Sequence, residues 1–423
     1  MPSLEMKPRI LIICPSFPPN PGIGGRRWAK FAKILFQQGY DVWVFSFKLP
    51  NRTEISHWTK DVEELQKKNR IIEVDRNYPA VLDEYPKSIS GKLKYKFWDN
   101  YLKFRYKGNL YDRSIRWGKF LIPELRKKID TNTVIIATGA PFRYLKDLIA
   151  LKDDFPVKLI SDFRDPWANN TIAYNKGLSK KRLEIEKHLE KKVAGNFDKI
   201  FCVDKFHIKY FKKENNISED KLFLIPNGYD PNERILTPIS QKTNSSKVKL
   251  VFAGTLYHDA QEIFEEFGSF LDELVNMDLE VYKQLEFHFF GQFLVDFTEL
   301  QEKHACVKFF GVKPLDIIHQ EIANSDAVMI FLTNQLNYTF NTKVLEAFNQ
   351  KKKILVFSNS GYLEKFVEEN EVGYSMVPEK MHKSFTRLIK DKHQNKLALD
   401  PIPEELKEFD VNNILKTILE EIE

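Results

Sequence analysis

The chain has 423 residues, and its composition of 43% hydrophobic and 29% charged residues is typical of a globular protein. A chain of this length is too long to fold around one ordinary hydrophobic core, so we expect two domains. No apolar run approaches the roughly 18 residues that cross a bilayer, which argues against a membrane-spanning protein.

The first residues and the cysteines favour a cytoplasmic protein. The sequence MPSLEMKPR leads directly into an apolar strand pattern, which predicts that no secretory signal is present. Cys14, Cys202 and Cys306 lie far apart and form neither a CxxC pair nor a Cys/His metal spacing. We therefore expect reduced, buried thiols in a soluble, cytoplasmic protein.

Apolar runs alternate with helical patterns along the first half of the chain. The predicted strands are RILIIC (9–14), DVWVFSF (41–47), RIIEV (70–74), TVIIAT (133–138), VKLIS (157–161) and KIFCV (199–203). Helical stretches such as Arg26–Gln38 and Lys180–Ala194 lie between them. Near-continuous apolar strands separated by helices indicate a parallel sheet that is covered on both faces.

The same alternation restarts after a polar stretch, 232–247, which has the composition of a linker. The predicted strands of this half are VKLVFAG (248–254), FHFFG (287–291), VKFFG (307–311), AVMIFL (327–332) and KILVF (353–357). The prediction is an α/β chain of two Rossmann-like domains that face each other across a cleft. We place them at 1–235 and 236–400, followed by a C-terminal helix, 401–423, that packs back on the N-terminal domain.

The net charge of +6 is unevenly distributed. Residues 87–128 contain thirteen Lys/Arg and three acids, or +10, so the rest of the chain sums to −4. Nine aromatic residues, among them Trp98 and Trp117, share the segment with basic residues such as Arg105. This mixture suits an anionic membrane surface, stacking on single-stranded nucleic acid, or helices whose aromatic residues face a core. We expect no nucleic-acid partner and keep the other two interpretations open.

The first strand is followed by a glycine-rich loop, CPSFPPNPGIGGRR. Glycines at 22, 24 and 25 allow the backbone to approach a ligand closely. The loop lacks the GxGxxG spacing and the acidic residue that dinucleotide binding requires, so dinucleotide binding is disfavoured. Arg26 and Arg27 are candidates for contact with an anionic or sugar ligand, or else form a solvated first helical turn.

The sequence SDFRDPW places two carboxylates, Asp162 and Asp165, on either side of Arg164, directly after a strand. Open α/β sheets bind ligands at this end of their strands. Asp165 is a candidate for orienting or deprotonating an acceptor hydroxyl, and Arg164 for holding a charged group. The alternative is an Asp–Arg pair that only stabilises the loop.

Three segments of the second half suggest a nucleotide site. The turn after the strand ending FAG, with Gly254 and Thr255, offers backbone N–H groups to a phosphate, and Val312 follows another strand end. In NTKVLEAF, Lys343 and Glu346 project from one helix face, behind a polar start at Asn341 and Thr342. A helix N-terminus attracts phosphate. A cation that binds a diphosphate and a carboxylate that binds ribose hydroxyls together suit a nucleotide-binding site.

Taken in order, these segments resemble the GT-B glycosyltransferases, specifically glycosyltransferase family 4. The landmarks are FPPNPGIGGRR, IPNG, FAG, FFGV, NSDAVMIFL and TKVLEAFNQKKKILVF followed by Gly361 and Glu364, and they span nearly the whole chain. DFRDPW is also similar to bacterial members associated with surface polysaccharide assembly.

The resemblance implies transfer of a hexose from a UDP- or GDP-linked donor, with retention, and without a metal or bound cofactor. The acceptor would be a lipid-linked sugar or a polysaccharide, reached at the inner membrane face. Donor-binding residues would be Gly24, Gly25, Gly254, Thr255, Val312, Asn341, Thr342, Lys343 and Glu346. Asp165, Arg164 and Lys343 would take part in catalysis, and Arg26, Trp98, Arg105 and Trp117 would contact the acceptor or membrane.

Two departures from the family pattern favour other functions. Many members carry a glutamate where this chain has Tyr338, and an Arg and a Lys after the FAG strand, where this chain has the sequence TLYHD. The first alternative is therefore a catalytically silent scaffold with the same fold, and the second is a nucleotide-sugar epimerase, which shares this architecture.

Overall fold

The computed structural model describes residues 7–49, 56, 58–171, 173–235, 247–332, 340–358 and 361–423. The chain forms two compact units. The N-terminal unit comprises Met1–Pro226 and Leu415–Glu423, and the C-terminal unit comprises Asn227–Ile414. The predicted linker, 232–247, lies mostly outside the described residues.

The N-terminal unit is built on a parallel sheet whose described strands number seven. They are β1 (Arg9–Ile13), β2 (Asp41–Lys48), β3 (Ile71–Asp75), β4 (Thr133–Gly139), β5 (Lys158–Phe163), β6 (Lys199–Cys202) and β7 (Leu222–Leu224). Their order is β3-β2-β1-β4-β5-β6-β7. Ile10 is in register with Val42 on one side and with Val134 on the other, so β1 is central and buried.

The helices of the N-terminal unit follow the strands in alternation. They are α1 (Arg26–Gln37), α2 (Glu63–Lys67), α3 (Ile89–Arg105), α4 (Gly118–Arg126), α5 (Leu145–Leu148), α6 (Leu151–Asp154), α7 (Lys180–Asn196) and α8 (Lys205–Asn215). The last residues of the chain also belong to this unit. Tyr40 donates a hydrogen bond to Glu423, and Lys199 pairs with Glu421.

The C-terminal unit repeats this plan with six described strands. They are β8 (Val248–Ala253), β9 (Leu285–Phe290), β10 (Val307–Gly311), β11 (Ala327–Phe331), β12 (Lys353–Phe357) and β13 (Gly373–Ser375). The order β10-β9-β8-β11-β12-β13 is the strand order of a Rossmann sheet, and the first six strands of the N-terminal unit have the same order.

The remaining helices belong to the C-terminal unit, except that most of the last one belongs to the N-terminal unit. They are α9 (Gln261–Met277), α10 (Leu279–Lys283), α11 (Thr298–Lys303), α12 (Leu315–Ala323), α13 (Thr342–Asn349), α14 (Tyr362–Glu369), α15 (Met381–His393), α16 (Glu404–Lys407) and α17 (Val411–Ile422).

Phenylalanines fill the core of the C-terminal unit. Phe264, Phe267 and Phe270 recur every three residues on α9 and therefore share one face. The Phe267 ring contacts Phe287 of β9 and Phe357 of β12 edge-on, with ring centres 5.1 and 5.3 Å apart. This aromatic layer holds α9 against the sheet.

The structure confirms the predicted α/β class with two parallel sheets. The strands predicted at 307–311 and 353–357 have the predicted bounds, and the other predicted strands are present with shifted ends. β7 and β13 were missed. Each has three residues, too few for an apolar run to stand out from its surroundings.

Candidate active site

Each sheet has one point where the strand order reverses. In the N-terminal unit this is the boundary between β1 and β4, and in the C-terminal unit it is the boundary between β8 and β11. The connections at the carboxyl ends of these strands diverge, which leaves a crevice where such sheets bind ligands. Candidate residues from the sequence lie at both reversal points.

In the N-terminal unit, the glycine-rich loop and the loop after β5 meet. A Cβ atom on Gly24 would lie 2.6 Å from Nη1 of Arg164 and 2.7 Å from Oγ of Ser16, so these two side chains lie directly against the Gly24 backbone. Arg164 Nη2 donates to the carbonyl of Ala140, after β4, at 2.7 Å. Two residues that were predicted separately, Gly24 and Arg164, are thus brought together at the ends of β1, β4 and β5.

Asp162 is a structural residue and is not available to a ligand. It is buried, and Oδ1 accepts a bond from Arg27 at 3.0 Å. Its Oδ2 accepts bonds from Trp28 Nε1 at 2.7 Å and from Thr138 Oγ1 at 2.8 Å. Asp162 therefore joins β5 to α1 and β4.

Asp165 has the opposite environment. Its side chain is 48% exposed, and its nearest described cation is Arg164 Nη1, at 3.7 Å. Such a pair is loose and solvated, so the Asp165 carboxylate can accept a proton or a hydrogen bond from a ligand.

Arg26 and Arg27 begin α1 and are both buried, so the alternative of a solvated first turn is wrong. The Arg26 guanidinium lies 4.0 Å from the centre of the Trp58 ring. Arg27 donates to the carbonyls of Ile225 and Pro226. Gly25 lies under the loop, because a Cβ atom there would lie 2.2 Å from the carbonyl oxygen of Ser16.

In the C-terminal unit, three glycines follow or end adjacent strands. Gly254 donates to the carbonyl of Phe290 at 2.9 Å, and Gly291 donates to the carbonyl of Gly311 at 2.8 Å. Gly254 and Gly291 have φ values of 139° and 121°, which favour glycine. A Cβ atom on Gly291 would lie 2.0 Å from the carbonyl oxygen of Gly254, so the two turns are packed backbone to backbone.

Lys343 lies directly across Gly254. A Cβ atom on Gly254 would lie 2.3 Å from Cε of Lys343. The Lys343 Nζ donates to the carbonyl of Thr255 at 3.1 Å and lies 4.7 Å from the centre of the Phe252 ring. The structure therefore brings Gly254, Thr255 and Lys343 together, as the nucleotide interpretation requires.

The Lys343 ammonium is short of solvation. Burial lowers the pKa of Lys343 to about 8, and the carboxylate of Glu346 opposes this shift only in part. Burial disfavours the charged form of a lysine. An anion beside Nζ would restore what burial removes, so this cation is prepared for an anionic ligand.

Lys343 lies in the first turn of α13, directly after Asn341 and Thr342. Asn341 is the N-cap, and its Oδ1 accepts a bond from the Val344 N–H at 3.1 Å. Thr342 and Glu346 are partly exposed, while Val344 and Leu345 are buried. The buried face fixes the helix, and the cap orients its N-terminus.

Val312 follows the end of β10 and is 76% exposed. Its position after Gly311, whose φ is 67°, leaves its backbone and side chain at the edge of the sheet. His258 and Asp259, which follow the turn after β8, are exposed.

Three of the residues predicted to contact an acceptor or membrane differ in how deeply they are buried. Trp117 is fully buried, and its Nε1 donates to the carbonyl of Val74 at 3.3 Å, so its assignment to a surface is wrong. Trp98 is partly buried against a small cluster beneath α3. Arg105 ends α3 and is exposed.

Several contributors were missed from the sequence. Gly291 was noted only as the end of a strand, although a glycine ending the pattern FHFFG was the available signal. Asn20 holds the first loop by donating to the carbonyls of Pro15 and Phe47, and nothing in the sequence pattern marks it. Within the described residues, no group of three or more His, Cys, Asp or Glu side chains could hold a metal ion.

No protein-family model and no curated protein sequence matches this chain. Solved structures do match it over nearly its full length. A glycosyltransferase from Rickettsia africae ESF-5 is 15% identical, with a TM-score of 0.60 over 99% of this chain and 98% of that one. Sucrose-phosphate synthase from Thermosynechococcus elongatus is 13% identical, with a TM-score of 0.63 over 97% of each chain. WaaG, a glycosyltransferase involved in lipopolysaccharide biosynthesis, is 11% identical, with a TM-score of 0.54 over 98% of this chain and 99% of that one.

The chain shares the GT-B fold of these enzymes. At such identities the likeness concerns the fold alone. The described part of the chain also has no helix long and apolar enough to cross a membrane.

Proposed function

We propose that this protein is a retaining, metal-independent glycosyltransferase of the family 4 type. It would move a hexose from a UDP- or GDP-linked donor to a lipid-linked or polysaccharide acceptor in the assembly of a bacterial surface polysaccharide. The observation that carries the proposal is Lys343, a desolvated cation laid across Gly254 at the reversal point of the C-terminal sheet.

Lys343 and the N-terminus of α13 would receive the donor diphosphate. The bond between the anomeric carbon and the diphosphate oxygen breaks, and its electron pair stays on the diphosphate. The ammonium and the helix dipole stabilise that charge, as preorganised groups do at leaving groups. Glu346, one turn later, would accept hydrogen bonds from ribose hydroxyls, and the Val312 backbone would meet the base.

Arg164 and Asp165 would serve the acceptor side of the reaction. The exposed Asp165 carboxylate would orient the acceptor hydroxyl and take up its proton as the oxygen bonds to the anomeric carbon on the face that the diphosphate leaves, which retains the configuration. Arg164 is anchored to Ala140 and packed against Gly24, and would hold a charged group of donor or acceptor. The shared fold with glycosyltransferases supports this division of roles.

Donor binding tests the proposal first. In a thermal-shift screen with UDP, GDP, CDP and dTDP, we expect one diphosphate to stabilise the full chain, by about 2.7 kcal/mol at a hundred times its Kd. Lys343→Gln should weaken that binding at least about tenfold, because a charge-assisted contact to phosphate is lost.

Lys383→Gln is the matched control, since Lys383 is an exposed lysine of the same unit, on α15. It should bind the diphosphate as the wild type does. The proposal fails if no nucleoside diphosphate stabilises the wild type, or if Lys343→Gln and Lys383→Gln bind it equally well.

A further inference from the structure

Helix α3 carries apolar side chains on two opposite faces. On the inner face, Tyr95, Trp98 and Leu102 pack on the small cluster beneath the helix. That cluster is formed by Tyr78, Leu82, Leu110 and Ile115. The inner face therefore fixes α3 to the N-terminal unit and accounts for one of its two apolar stripes.

The second stripe faces solvent. Ile89, Leu93 and Phe97 are 81%, 67% and 62% exposed, and Phe104 is 91% exposed. Residues spaced by four and by seven share one helix face, so these four side chains form a continuous line, with the partly exposed Tyr101 at its margin. We call this line the outer stripe. Exposed side chains of this size in a row mark an interaction surface.

Basic residues border the outer stripe on both sides. Lys92, Lys96 and Lys103 follow one border, and Lys94 and Arg105 follow the other, as helical spacing requires. Asp99 is the one acid within α3, and it pairs with Lys103 at 2.6 Å and accepts a bond from the Tyr111 hydroxyl at 3.0 Å. The helix therefore carries five basic residues and one acid, or +4.

We propose that the outer stripe docks on an anionic lipid bilayer, with α3 lying in the plane of the interface. Ile89, Leu93, Phe97 and Phe104 enter the boundary between headgroups and acyl chains, and the bordering lysines reach the lipid phosphates. An apolar line between two cationic borders is the pattern of interfacial helices. The surrounding segment, with its excess of +10, extends the attraction beyond α3.

The charge on α3 decides between a bilayer and other occupants. A second copy of this chain would oppose two helices of +4 each, which repel. Ile89 and Leu93 offer no ring on which a nucleotide base could stack, whereas acyl chains accept them as readily as Phe97 and Phe104. An anionic bilayer matches both the apolar line and its charged borders.

This inference deepens the acceptor side of the proposed function and rests on it there, because a lipid-linked acceptor is presented at the same surface. Docking itself is measured without any nucleotide sugar. Vesicle binding and diphosphate binding can therefore fail separately, and each failure is assigned to its own proposal.

The test is co-sedimentation of the full chain with phosphatidylcholine vesicles that contain about one third phosphatidylglycerol, compared with pure phosphatidylcholine, at about 0.1 M salt. We expect at least about tenfold tighter binding to the anionic vesicles, weakened by added salt. The double variant Leu93→Ser, Phe104→Ser should bind at least about tenfold more weakly, because the two large side chains no longer enter the interface.

Met277→Ser, Leu279→Ser is the matched control, because these two side chains are also exposed and apolar but lie in the C-terminal unit. It should bind vesicles as the wild type does, and both double variants should keep the wild-type Tm and diphosphate binding. The inference is overturned if the wild type stays in the supernatant, or if the α3 variant binds as the wild type does. It is also overturned if the outer stripe instead forms a dimer that Leu93→Ser, Phe104→Ser dissociates in gel filtration.

Discussion

At the scale of single residues, the proposed role of Lys343 depends on the surroundings of its ammonium. Its ammonium lies close to one carbonyl and one aromatic ring, and burial lowers its pKa. A diphosphate would supply the missing counter-charge. The lysine should therefore hold its proton more weakly in the free site than in the occupied one. Diphosphate binding should depend on pH as a result.

We predict that diphosphate binding weakens by about tenfold between pH 7 and pH 9. The pKa of Lys343 lies at about 8, below that of an ordinary lysine, so the charge is present below pH 8 and is lost as the pH rises through it. One unit above the pKa, about nine tenths of the lysine is neutral. Isothermal titration with the diphosphate found in the thermal screen measures this.

Lys343→Gln supplies the control, since its weak binding should not change over this pH range. Wild-type binding that stays constant from pH 7 to pH 9 would contradict the assignment of the diphosphate to Lys343.

The sequence foretold part of this residue's role. The spacing of Lys343 and Glu346 predicted one shared helix face, and the polar residues before them predicted that the helix begins there. That Lys343 would fold back over Gly254 could not be read from the sequence. This contact depends on β8 and α13 being brought together by the order of strands, across 88 residues of chain between Thr255 and Lys343.

At the scale of elements, the end of β5 separates two carboxylates that the sequence presents alike. Asp162 lies within β5, which is buried on both faces, and there it joins β5 to α1 and β4. Asp165 lies beyond the strand end, in the loop, and is exposed. The sequence suggested a role for Asp165 but not the structural role of Asp162, because the partners Arg27, Trp28 and Thr138 come from distant elements.

The two carboxylates should therefore respond oppositely to substitution. Asp162→Asn leaves the Arg27 charge buried without its counter-ion, so we expect a loss of about 3 kcal/mol in the stability of the N-terminal unit. Asp165→Asn should stay within about 0.5 kcal/mol of the wild type, because its ion pair is exposed. It should instead slow sugar transfer at least about tenfold.

Thermal unfolding and a transfer assay on the same two variants make this measurement. If Asp165→Asn kept full transfer activity, its role at the reacting centre would be lost. If Asp162→Asn unfolded as late as the wild type, the proposed joint between β5, α1 and β4 would be wrong.

For helix α3, the sequence did not predict which apolar side chains are buried and which are exposed. Composition predicted that residues 87–128 were either a membrane surface or solvated helices over a core. The structure shows one helix with both kinds of face, and it moves Trp117 into the core. Aromatic content could not tell the inner from the outer stripe, because both stripes are apolar and only packing on Leu110 and Ile115 distinguishes them.

At the scale of the whole molecule, the fold was the most predictable property. Two successive series of apolar strands separated by helices allow few arrangements other than two parallel sheets. Both sheets have the Rossmann strand order, which places the glycines after β1 and β8 at equivalent reversal points. This repetition explains why the fold could be predicted from the sequence, although the chain is only 11–15% identical to the solved structures described above. The chemistry could not be predicted in the same way, because one fold supports many reactions.

The most direct measurement is turnover of nucleotide sugars by the full chain in the presence of a metal chelator. UDP-glucose, UDP-N-acetylglucosamine and GDP-mannose are incubated with the protein and a lipid extract, and the anomeric signals are followed by NMR. We predict that one donor is consumed, that the transferred sugar keeps its anomeric configuration, and that Lys343→Gln abolishes the reaction. A folded wild type that binds a nucleoside diphosphate yet consumes none of these donors, or one that inverts the anomeric centre, would contradict the account.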